Sequence, residues 1–310
     1  MSQSAISISN LCKTYRAKKT GESKVALQNV SLDIPQGSFF GLLGPNGAGK
    51  STIINILAGL VQKTSGSVVV CGHDIDKDVR KAKQSLGVVP QELILDPFFT
   101  VEEALEFHAG YYGVPKSQRR TKEIIKALHL EDKSATNSRR LSGGMRRRLL
   151  IGKALVHNPK VLILDEPTAG VDIELRQSLW KYVRELNSNG TTIVLTTHYL
   201  EEADELCDRV AIINHGQIVA CDKKENLLSN LNNKQITFKL HEDIKKVPEN
   251  LIKLHPQIVG GNNLVIKYNP SELSVVQILE EVSKSGLKVA DLVSEDAKLE
   301  DLFLQLVKVA

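Results

Sequence analysis

The sequence predicts an α/β fold, in which helices cover a buried parallel sheet. Five short apolar runs bounded by glycine or polar turns are typical of strands: residues 38–44, 66–72, 86–90, 160–167 and 191–198. Several of them are almost continuously apolar, as are strands buried on both faces of a parallel sheet. Helical patterns lie between them, the clearest over residues 51–60 and 172–189. Strands that alternate with helices are typical of α/β proteins.

Two regions depart from this alternation. Between about residues 92 and 156 the sequence predicts helices and no strand, and Thr100 with Glu103 forms a capping-box pattern. After residue 231, shorter patterns predict strands and helices over 234–240, 263–268, 271–286, 288–294 and 299–307. We therefore expect a first domain over residues 1–230 with a helical insertion at about 92–156. A small α+β domain over residues 231–310 is expected to serve dimerisation or regulation.

Composition and charge describe an ordinary globular protein. The 310 residues are 42% hydrophobic and 25% charged, with a net charge of +4 at pH 7. The four cysteines lie far apart and form no CxxC pair, which favours a reducing setting. No apolar run approaches the roughly 18–20 residues needed to cross a bilayer, and no secretory signal is visible. We therefore expect a cytoplasmic chain that serves a membrane only by docking onto another subunit.

A glycine-rich loop predicts a phosphate site. The residues that match the Walker A pattern GxxxxGK[ST] are Gly44, Pro45, Asn46, Gly47, Ala48, Gly49, Lys50, Ser51 and Thr52. They follow an apolar strand and precede a helical pattern, so backbone N–H groups and a helix N-terminus would face the phosphates of a nucleotide. We expect Lys50 to reach the β- and γ-phosphates and Ser51 to ligate Mg²⁺. The alternative, a glycine-rich turn without a ligand, does not explain the match in this context.

Polar residues at the ends of three other predicted strands indicate hydrolysis at the same edge of the sheet. Asp165 would hold Mg²⁺, and Glu166 would act as the base on the attacking water. His198 could bind the γ-phosphate, and Gln91 could ligate Mg²⁺ or hold the water. For each, the alternative is an ordinary polar residue at a strand end. The neighbouring glycine-rich loop favours the catalytic interpretation.

The stretch LSGGM, residues 141–145, identifies the family that the sequence resembles. With the motifs GPNGAGKST, LILDEP and AGVD, and with Gln91 and His198, it resembles the ATP-binding-cassette (ABC) ATPases over residues 5–225. The resemblance implies ATP as the bound nucleotide. It also implies a P-loop ATPase core with an antiparallel β subdomain and a helical subdomain.

The resemblance further implies a site shared between two chains. Ser142, Gly143 and Gly144 would bind the γ-phosphate of ATP held by a second copy of the chain, because a helix N-terminus can supply the charge that an arginine finger supplies elsewhere. Since each motif occurs once, two complete sites require a head-to-tail homodimer. Tyr15 is expected to stack on adenine, and Asp172 to belong to the loop that couples the two sites.

Three consecutive arginines, Arg146, Arg147 and Arg148, raise the alternative of a nucleic-acid surface. No aromatic residues are interleaved for stacking, and at helical spacing the three side chains point in different directions. We therefore predict a solvated helix face that lies partly beside the phosphates, and no nucleic-acid partner.

Within the ABC ATPases, several stretches resemble the type-two exporters. The chain carries one cassette without a long coiled-coil insertion, which argues against the translation-associated and chromosome-organising types. Residues 99–114, 168–180 and 299–307 are similar to exporter ATPases. This implies a motor docked on integral-membrane permease subunits, peripheral on the inner face of the cell membrane. The alternatives are the ATPase of an importer, whose tail is often an OB-like barrel, and a non-transport ABC ATPase.

Overall fold

The computed structural model of the chain describes residues 3–16, 23–168, 173–229, 234–244, 246–269, 272–295 and 298–308. These residues form two compact units, one that ends at Lys223 and one that spans Lys224–Lys308. Among the residues described, no helix combines the length and apolar composition needed to cross a membrane.

The first unit contains two sheets and seven helices in its described part. Its strands are β1 (Ser4–Arg16), β2 (Ser23–Pro35), β3 (Phe39–Leu43), β4 (Ser65–Val70), β5 (His73–Asp74), β6 (Leu86–Val89), β7 (Val161–Asp165), β8 (Thr192–Thr196), β9 (Arg209–Asn214) and β10 (Gln217–Lys223). Its helices are α1 (Lys50–Leu57), α2 (Val79–Gln84), α3 (Val101–Tyr111), α4 (Thr121–Ala127), α5 (Gly143–Leu155), α6 (Ile173–Ser188) and α7 (Leu200–Leu206).

The larger sheet confirms the predicted parallel core. Its strand order is β10-β9-β3-β8-β7-β6, and all neighbours pair in parallel except β9 with β10. Every residue of β3, β7 and β8 is buried, which explains why these strands are nearly continuous apolar runs. Because β3, β6, β7 and β8 run the same way, their carboxyl ends meet at one edge of the sheet.

The smaller sheet has the antiparallel order β2-β1-β4-β5. The run at 66–72 therefore forms a strand, but β4 belongs to this sheet and not to the parallel one. Alternate residues of β1 and β4, such as Ile6, Ile8, Val68 and Val70, are buried in the core that they share with Phe40 of β3. In β2, the exposed Ser31 and Asp33 alternate with buried apolar residues, and in β1 Ser7 and Ser9 interrupt the apolar sequence. Neither strand therefore has a continuous apolar run to reveal it.

The segment between β6 and β7 is helical. It contains α3, α4 and α5, and 3₁₀ turns at Lys116–Gln118, Glu131–Lys133 and Ser138–Arg140. The predicted capping box is present at the start of α3: Thr100 Oγ1 accepts from the Glu103 N–H at 3.3 Å, and Glu103 Oε2 accepts from the Thr100 N–H at 2.9 Å. This reciprocal pair fixes where the helix begins.

The second unit is an α+β structure with its own core. It contains α8 (Lys224–Ser229), β11 (Lys234–Leu240), β12 (Gln257–Val259), β13 (Asn263–Tyr268), α9 (Val275–Lys284), β14 (Val289–Glu295), α10 (Leu299–Lys308) and a 3₁₀ turn at Glu249–Leu254. Its antiparallel sheet has the order β12-β13-β11-β14. The unit begins earlier than residue 231, because α8 contacts α10 and so belongs to it.

Candidate nucleotide site

The glycine-rich loop, residues 44–49, joins the end of β3 to the start of α1. Gly49 has φ of 118°, and a Cβ there would lie 2.8 Å from Leu27 Cδ2 and 3.0 Å from the Ala26 carbonyl oxygen. A Cβ on Gly44 would lie 2.3 Å from the Ile213 carbonyl oxygen. Backbone conformation and close packing therefore both require glycine, and they hold the loop against β2 and β9.

Lys50, the first residue of α1, is held at this loop. Its side chain is 6% exposed, and its ammonium donates to the carbonyl oxygens of Gly44 at 2.7 Å and Pro45 at 3.2 Å. Burial lowers the pKa of Lys50, whereas the nearby carboxylates of Glu166 and Asp165 act to raise it. The Lys50 ammonium is therefore held by the loop carbonyls, within electrostatic reach of two carboxylates.

The end of β7 supplies both carboxylates. Asp165 is 8% exposed, and its Oδ1 accepts a hydrogen bond from the Thr196 hydroxyl of β8. Burial raises the pKa of Asp165, and the Thr196 hydrogen bond opposes this shift. Glu166 follows with φ of 46°, and its N–H donates to the Thr196 carbonyl oxygen at 3.0 Å. The left-handed backbone at Glu166 turns the chain sharply out of the sheet.

Glu166 meets two of the other predicted residues. Its Oε2 accepts from Gln91 Nε2 at 2.9 Å and lies 3.3 Å from His198 Nδ1. Gln91 follows β6 and His198 follows β8, so three strand ends converge on one carboxylate oxygen. This arrangement can hold a water molecule or a phosphate oxygen beside a proton acceptor.

A cavity of about 620 Å³ unites most of the predicted site residues. It is lined by Tyr15, Lys24, Ala26, Asn46, Gly47, Gly49, Lys50, Ser51, Thr52, Gln91, Glu166 and His198. The other loop residues, Gly44, Pro45 and Ala48, and the buried Asp165 are not part of this lining. Its volume is in the range of small-ligand sites, about 300–1,000 Å³.

Tyr15 lies at the margin of the cavity with one face of its ring occupied. The Lys13 ammonium lies 4.7 Å from the ring centroid and donates to the Gln62 carbonyl oxygen at 2.8 Å. Lys24 and Ala26 of β2 also line the cavity and were not predicted from the sequence. No motif marks them, because only the packing of β2 against the glycine-rich loop brings them to the site.

The LSGGM turn lies apart from this cavity. Ser142 caps α5, since its hydroxyl accepts from the Met145 N–H at 3.3 Å. Ser142 and Gly143 are exposed, Gly144 is half-buried, and none of the three lines the cavity. A Cβ on Gly143 would have no atom within 4 Å. One chain therefore does not bring Ser142, Gly143 and Gly144 to its own glycine-rich loop, and Asp172 lies outside the described residues.

The prediction of a solvated arginine face is wrong for two of the three arginines. Arg147 is 4% exposed and donates to the carbonyl oxygens of Pro90 at 2.8 Å and Gln91 at 2.9 Å. Arg148 donates to those of Leu128 at 2.8 Å and His129 at 3.0 Å. The side chains do point in different directions, but towards protein carbonyls. Arg147 thus ties α5 to the turn that carries Gln91.

Oxygen donors suited to a magnesium ion occur among these residues. The Ser51 hydroxyl is exposed to the cavity, and Asp165 has a second carboxylate oxygen beyond the one that Thr196 engages. The Gln91 amide nitrogen donates to Glu166, which leaves the amide oxygen as an acceptor. Hydroxyl, amide and carboxylate oxygens are ligands that Mg²⁺ prefers, so the residues fit the ion.

A strand, glycine-rich loop and helix that face a carboxylate pair at the edge of a parallel sheet are typical of P-loop nucleoside triphosphatases. A sequence model described as ABC transporter matches residues 27–169. The linearmycin resistance ATP-binding protein LnrL of Bacillus subtilis (strain 168) is 37% identical over 297 residues, which cover 93% of this chain and 96% of that protein. The chain belongs to the ABC transporter family, in which it is an ATP-binding subunit that hydrolyses ATP.

Other similar proteins are consistent with this family. The Nod factor export ATP-binding protein I of Ralstonia nicotianae is 35% identical over 295 residues, which cover 93% of this chain and 91% of that protein. A solved dimeric ATP-binding cassette in a post-hydrolysis state, bound to ADP and Pi, is 28% identical with a TM-score of 0.64. That match covers 70% of this chain and 98% of the solved one.

Proposed function

We propose that this ATPase is the motor of an export system and works as a head-to-tail dimer docked on separate permease subunits. Relatives named for Nod factor export and linearmycin resistance match 93% of the chain, so the likeness extends beyond the cassette into the second unit. In this proposal the chain is cytoplasmic and is held at the inner face of the cell membrane by the permease.

The nucleotide is bound by the glycine-rich loop and its surroundings. Lys50 binds the β- and γ-phosphates, the N-terminus of α1 faces them, and Tyr15 stacks on adenine. Ser51, Gln91 and Asp165 would hold Mg²⁺, which would neutralise negative charge on the phosphates.

Hydrolysis depends on the three residues that meet at the edge of the sheet. Glu166 accepts the proton of the attacking water, and Gln91, which donates to the same carboxylate, holds that water in place. His198, beside Glu166, donates a hydrogen bond to the γ-phosphate. The observation that carries the assignment is the convergence of these three side chains with Lys50 in one cavity.

Glu166→Gln tests the assignment of the base. The amide preserves the shape of the side chain but accepts no proton, so we expect hydrolysis to slow by about 10²–10⁴-fold while ATP binding persists. Size-exclusion chromatography with Mg-ATP should show a trapped dimer. Hydrolysis by this variant at the parental rate would contradict the role of Glu166.

The dimer is supported by the position of the LSGGM turn. Ser142 and Gly143 are exposed and lie outside the cavity, while Ser142 is already oriented as the cap of a 13-residue helix. The N-terminus of such a helix favours a negatively charged group, which a second chain's ATP would supply. In a head-to-tail dimer, each glycine-rich loop then faces the LSGGM turn of the other chain.

Mixing two inactive variants tests this arrangement. Lys50→Ala removes the phosphate-binding cation and Ser142→Arg blocks the LSGGM turn, so each alone should hydrolyse little ATP. In mixed dimers one site has both intact parts, so the mixture should recover about one quarter of the parental rate with random pairing. A turn that acted on its own chain's ATP would give no recovery.

The matched control for this mixture is Lys50→Ala combined with the double variant Lys50→Ala/Ser142→Arg. No site in that mixture has an intact glycine-rich loop, so hydrolysis should stay at the level of the single variants. Recovery in the control would show that the gain does not come from shared sites.

Docking on a permease is supported by exposed apolar side chains in and just before the helical segment. Ile94, Phe98, Phe107 and Tyr111 are 68%, 83%, 63% and 79% exposed. Phe107 and Tyr111 lie one turn apart on α3, and Ile94 and Phe98 lie between Gln91 and α3. Clusters of exposed aromatic and aliphatic side chains are typical of protein interfaces. Ile94 and Phe98 follow Gln91 closely in the sequence, so a permease helix bound to them would contact the segment next to the Gln91 turn.

The docking experiment uses tagged Glu166→Gln protein purified from detergent-solubilised membranes with Mg-ATP. We expect a stoichiometric polytopic membrane protein to copurify. The control adds Phe107→Glu and Tyr111→Glu, which should remove that protein without lowering ATP affinity, because neither residue lines the cavity. Recovery of ribosomes or DNA would contradict the transport function.

A further inference from the structure

Glu202, on helix α7, is a buried carboxylate with three partners. It is 5% exposed, its Oε1 accepts from the Thr168 hydroxyl at 2.6 Å, and its Oε2 accepts from the Thr197 hydroxyl at 2.9 Å. Arg176 Nε of α6 lies 3.6 Å from Oε1. A buried charge is costly unless it is paired and hydrogen-bonded, and Glu202 satisfies both conditions.

The two threonines belong to segments that lead to the candidate catalytic residues. Thr197 directly precedes His198, and its oxygen also accepts from the Tyr199 N–H at 3.0 Å, so this hydroxyl fixes the turn on both sides of His198. Thr168 lies two residues after Glu166 and is 1% exposed. One carboxylate therefore joins the chain after β7 to the chain after β8.

Arg176 gives the same connection a second contact. Besides its pairing with Glu202, its guanidinium lies 5.2 Å from the centroid of the Tyr199 ring, next to His198. The start of α7 is thus held from the side of α6 as well. Glu202 itself does not line the nucleotide cavity.

We propose that Glu202 is a positioning residue for ATP hydrolysis. Through the hydroxyls of Thr197 and Thr168, it sets where His198 lies relative to Glu166. The inference rests on the proposed roles of His198 and Glu166. It assigns no contact between Glu202 and the substrate.

A carboxylate suits this role better than an amide of the same shape. Both hydroxyls donate to Glu202, and a carboxylate accepts at both of its oxygens, whereas glutamine offers one acceptor and one donor. In Glu202→Gln, one hydroxyl must therefore reorient or lose its bond, although the volume of the side chain hardly changes. Thr197→Val removes the same hydrogen bond from the other partner and preserves its branched shape, and it also removes the acceptor of the Tyr199 N–H.

The experiment compares Glu202→Gln, Thr197→Val and their double variant as full chains. We expect kcat for ATP hydrolysis to fall about tenfold in each single variant, with the Kd for ATP within about twofold of the parent. The kcat of the double variant should be no lower than that of the slower single variant, because both substitutions break the same connection. A purely structural role would lower stability without this separation of kcat from binding.

The control is Glu205→Gln on the same helix. Glu205 is 66% exposed at its side chain and pairs with Arg184 at 2.6 Å at the surface, so the variant removes an equal charge without touching the buried connection. Its kcat should stay within about twofold of the parent. Near-UV circular dichroism at the assay temperature establishes that each variant is folded.

Several results would overturn the inference. A kcat within twofold of the parent in folded Glu202→Gln and Thr197→Val would do so, as would losses that multiply in the double variant. His198→Ala is measured beside them. If His198→Ala loses hydrolysis while Glu202→Gln and Thr197→Val keep it, only the role of Glu202 is wrong. If His198→Ala and Glu166→Gln both keep the parental rate, the site assignment fails and this inference fails with it.

Discussion

Two helices of the first unit begin at glycine turns, and the two turns are built in opposite ways. At the start of α1, Gly49 has φ of 118° and would place a Cβ 2.8 Å from Leu27. At the start of α5, Gly143 has open space within 4 Å of its Cβ position and is exposed. The first turn is shaped by its own chain. The second leaves the Cβ position of Gly143 free of close contacts within its own chain, as the proposed dimer requires.

Of the substitutions at the two turns, Ser142→Arg should have the largest effect, and it should change hydrolysis but not ATP binding. Ser142→Arg should lower hydrolysis by about 10²–10³-fold, because it would block the transition-state donor that the proposed dimer places at the second turn. The affinity of the isolated chain for ATP should be unchanged, as measured by equilibrium binding of a fluorescent ATP analogue. Weaker binding by the monomer would mean that the second turn contacts its own chain's nucleotide.

Lys50→Ala should show the complementary pattern. Removal of a charged donor to phosphate should weaken ATP binding by about 10–100-fold in the same assay. If binding is unaffected while hydrolysis is lost, Lys50 acts only during the reaction, and the contrast between the two turns is smaller than proposed.

Gly49→Ala tests the packing of the first turn. An alanine there must adopt a left-handed conformation and displace Leu27, so the free energy of unfolding should fall by roughly 2–4 kcal/mol. Chemical denaturation measures this change. A loss below 1 kcal/mol would show that β2 moves easily away from the loop.

Acid should change the stability contributed by two buried groups, His108 and Asp165, in opposite directions. Burial lowers the pKa of His108, on α3, to about 4, with the charges of Lys153 and His157 as further causes. Its neutral form is favoured in the folded state, so its contribution is complete above pH 6.5 and is lost as the pH falls towards 4. At Asp165, where burial raises the pKa, acid instead relieves a buried charge.

His108→Gln tests this pH dependence. Between pH 7 and 5 the parent should lose stability that the variant does not, by roughly 1–2 kcal/mol after allowance for partial exposure. Thermal unfolding of both proteins across this range gives the difference. Parallel curves for the two proteins would contradict the lowered pKa.

The smallest effect on stability is expected at the second turn. Gly143→Ala adds a methyl group in open space at the first residue of α5, so the free energy of unfolding should change by less than about 1 kcal/mol. In the proposed dimer hydrolysis should nevertheless fall, because the methyl group would lie where the phosphate of the other chain's ATP is held. Unchanged hydrolysis would argue against such close approach.

The fold could be predicted where burial on both faces leaves a continuous apolar run. This held for β3, β6, β7 and β8, and the capping box at Thr100 marked the helical segment. Strands β1, β2 and β10 were not predicted, because exposed polar residues interrupt them. Strand β9 was also not predicted, although five of its six residues are buried and it pairs in parallel with β3. The run at 66–72 was a strand, but its apolar residues did not reveal that it pairs antiparallel.

The sequence predicted those residues of the candidate site that belong to motifs or follow predicted strands. The glycine-rich loop, Gln91, Glu166 and His198 meet in one cavity because each follows a strand of the parallel sheet. Lys24 and Ala26 reach the cavity through packing between sheets, which no local pattern encodes. The burial of charged residues could not be predicted either. Arg147 and Glu202 resemble surface residues in sequence, and only their hydrogen-bond partners explain why they are buried.

The left-handed backbone of Glu166 has a consequence for how the protein can change. A residue other than glycine or asparagine at φ of 46° costs free energy, so glycine or asparagine at this position should raise the melting temperature. A laboratory selection for heat resistance alone would therefore favour loss of the residue proposed to activate water. Selection for activity and selection for stability act against each other at this codon, and a stabilised variant is useful only if position 166 is held fixed.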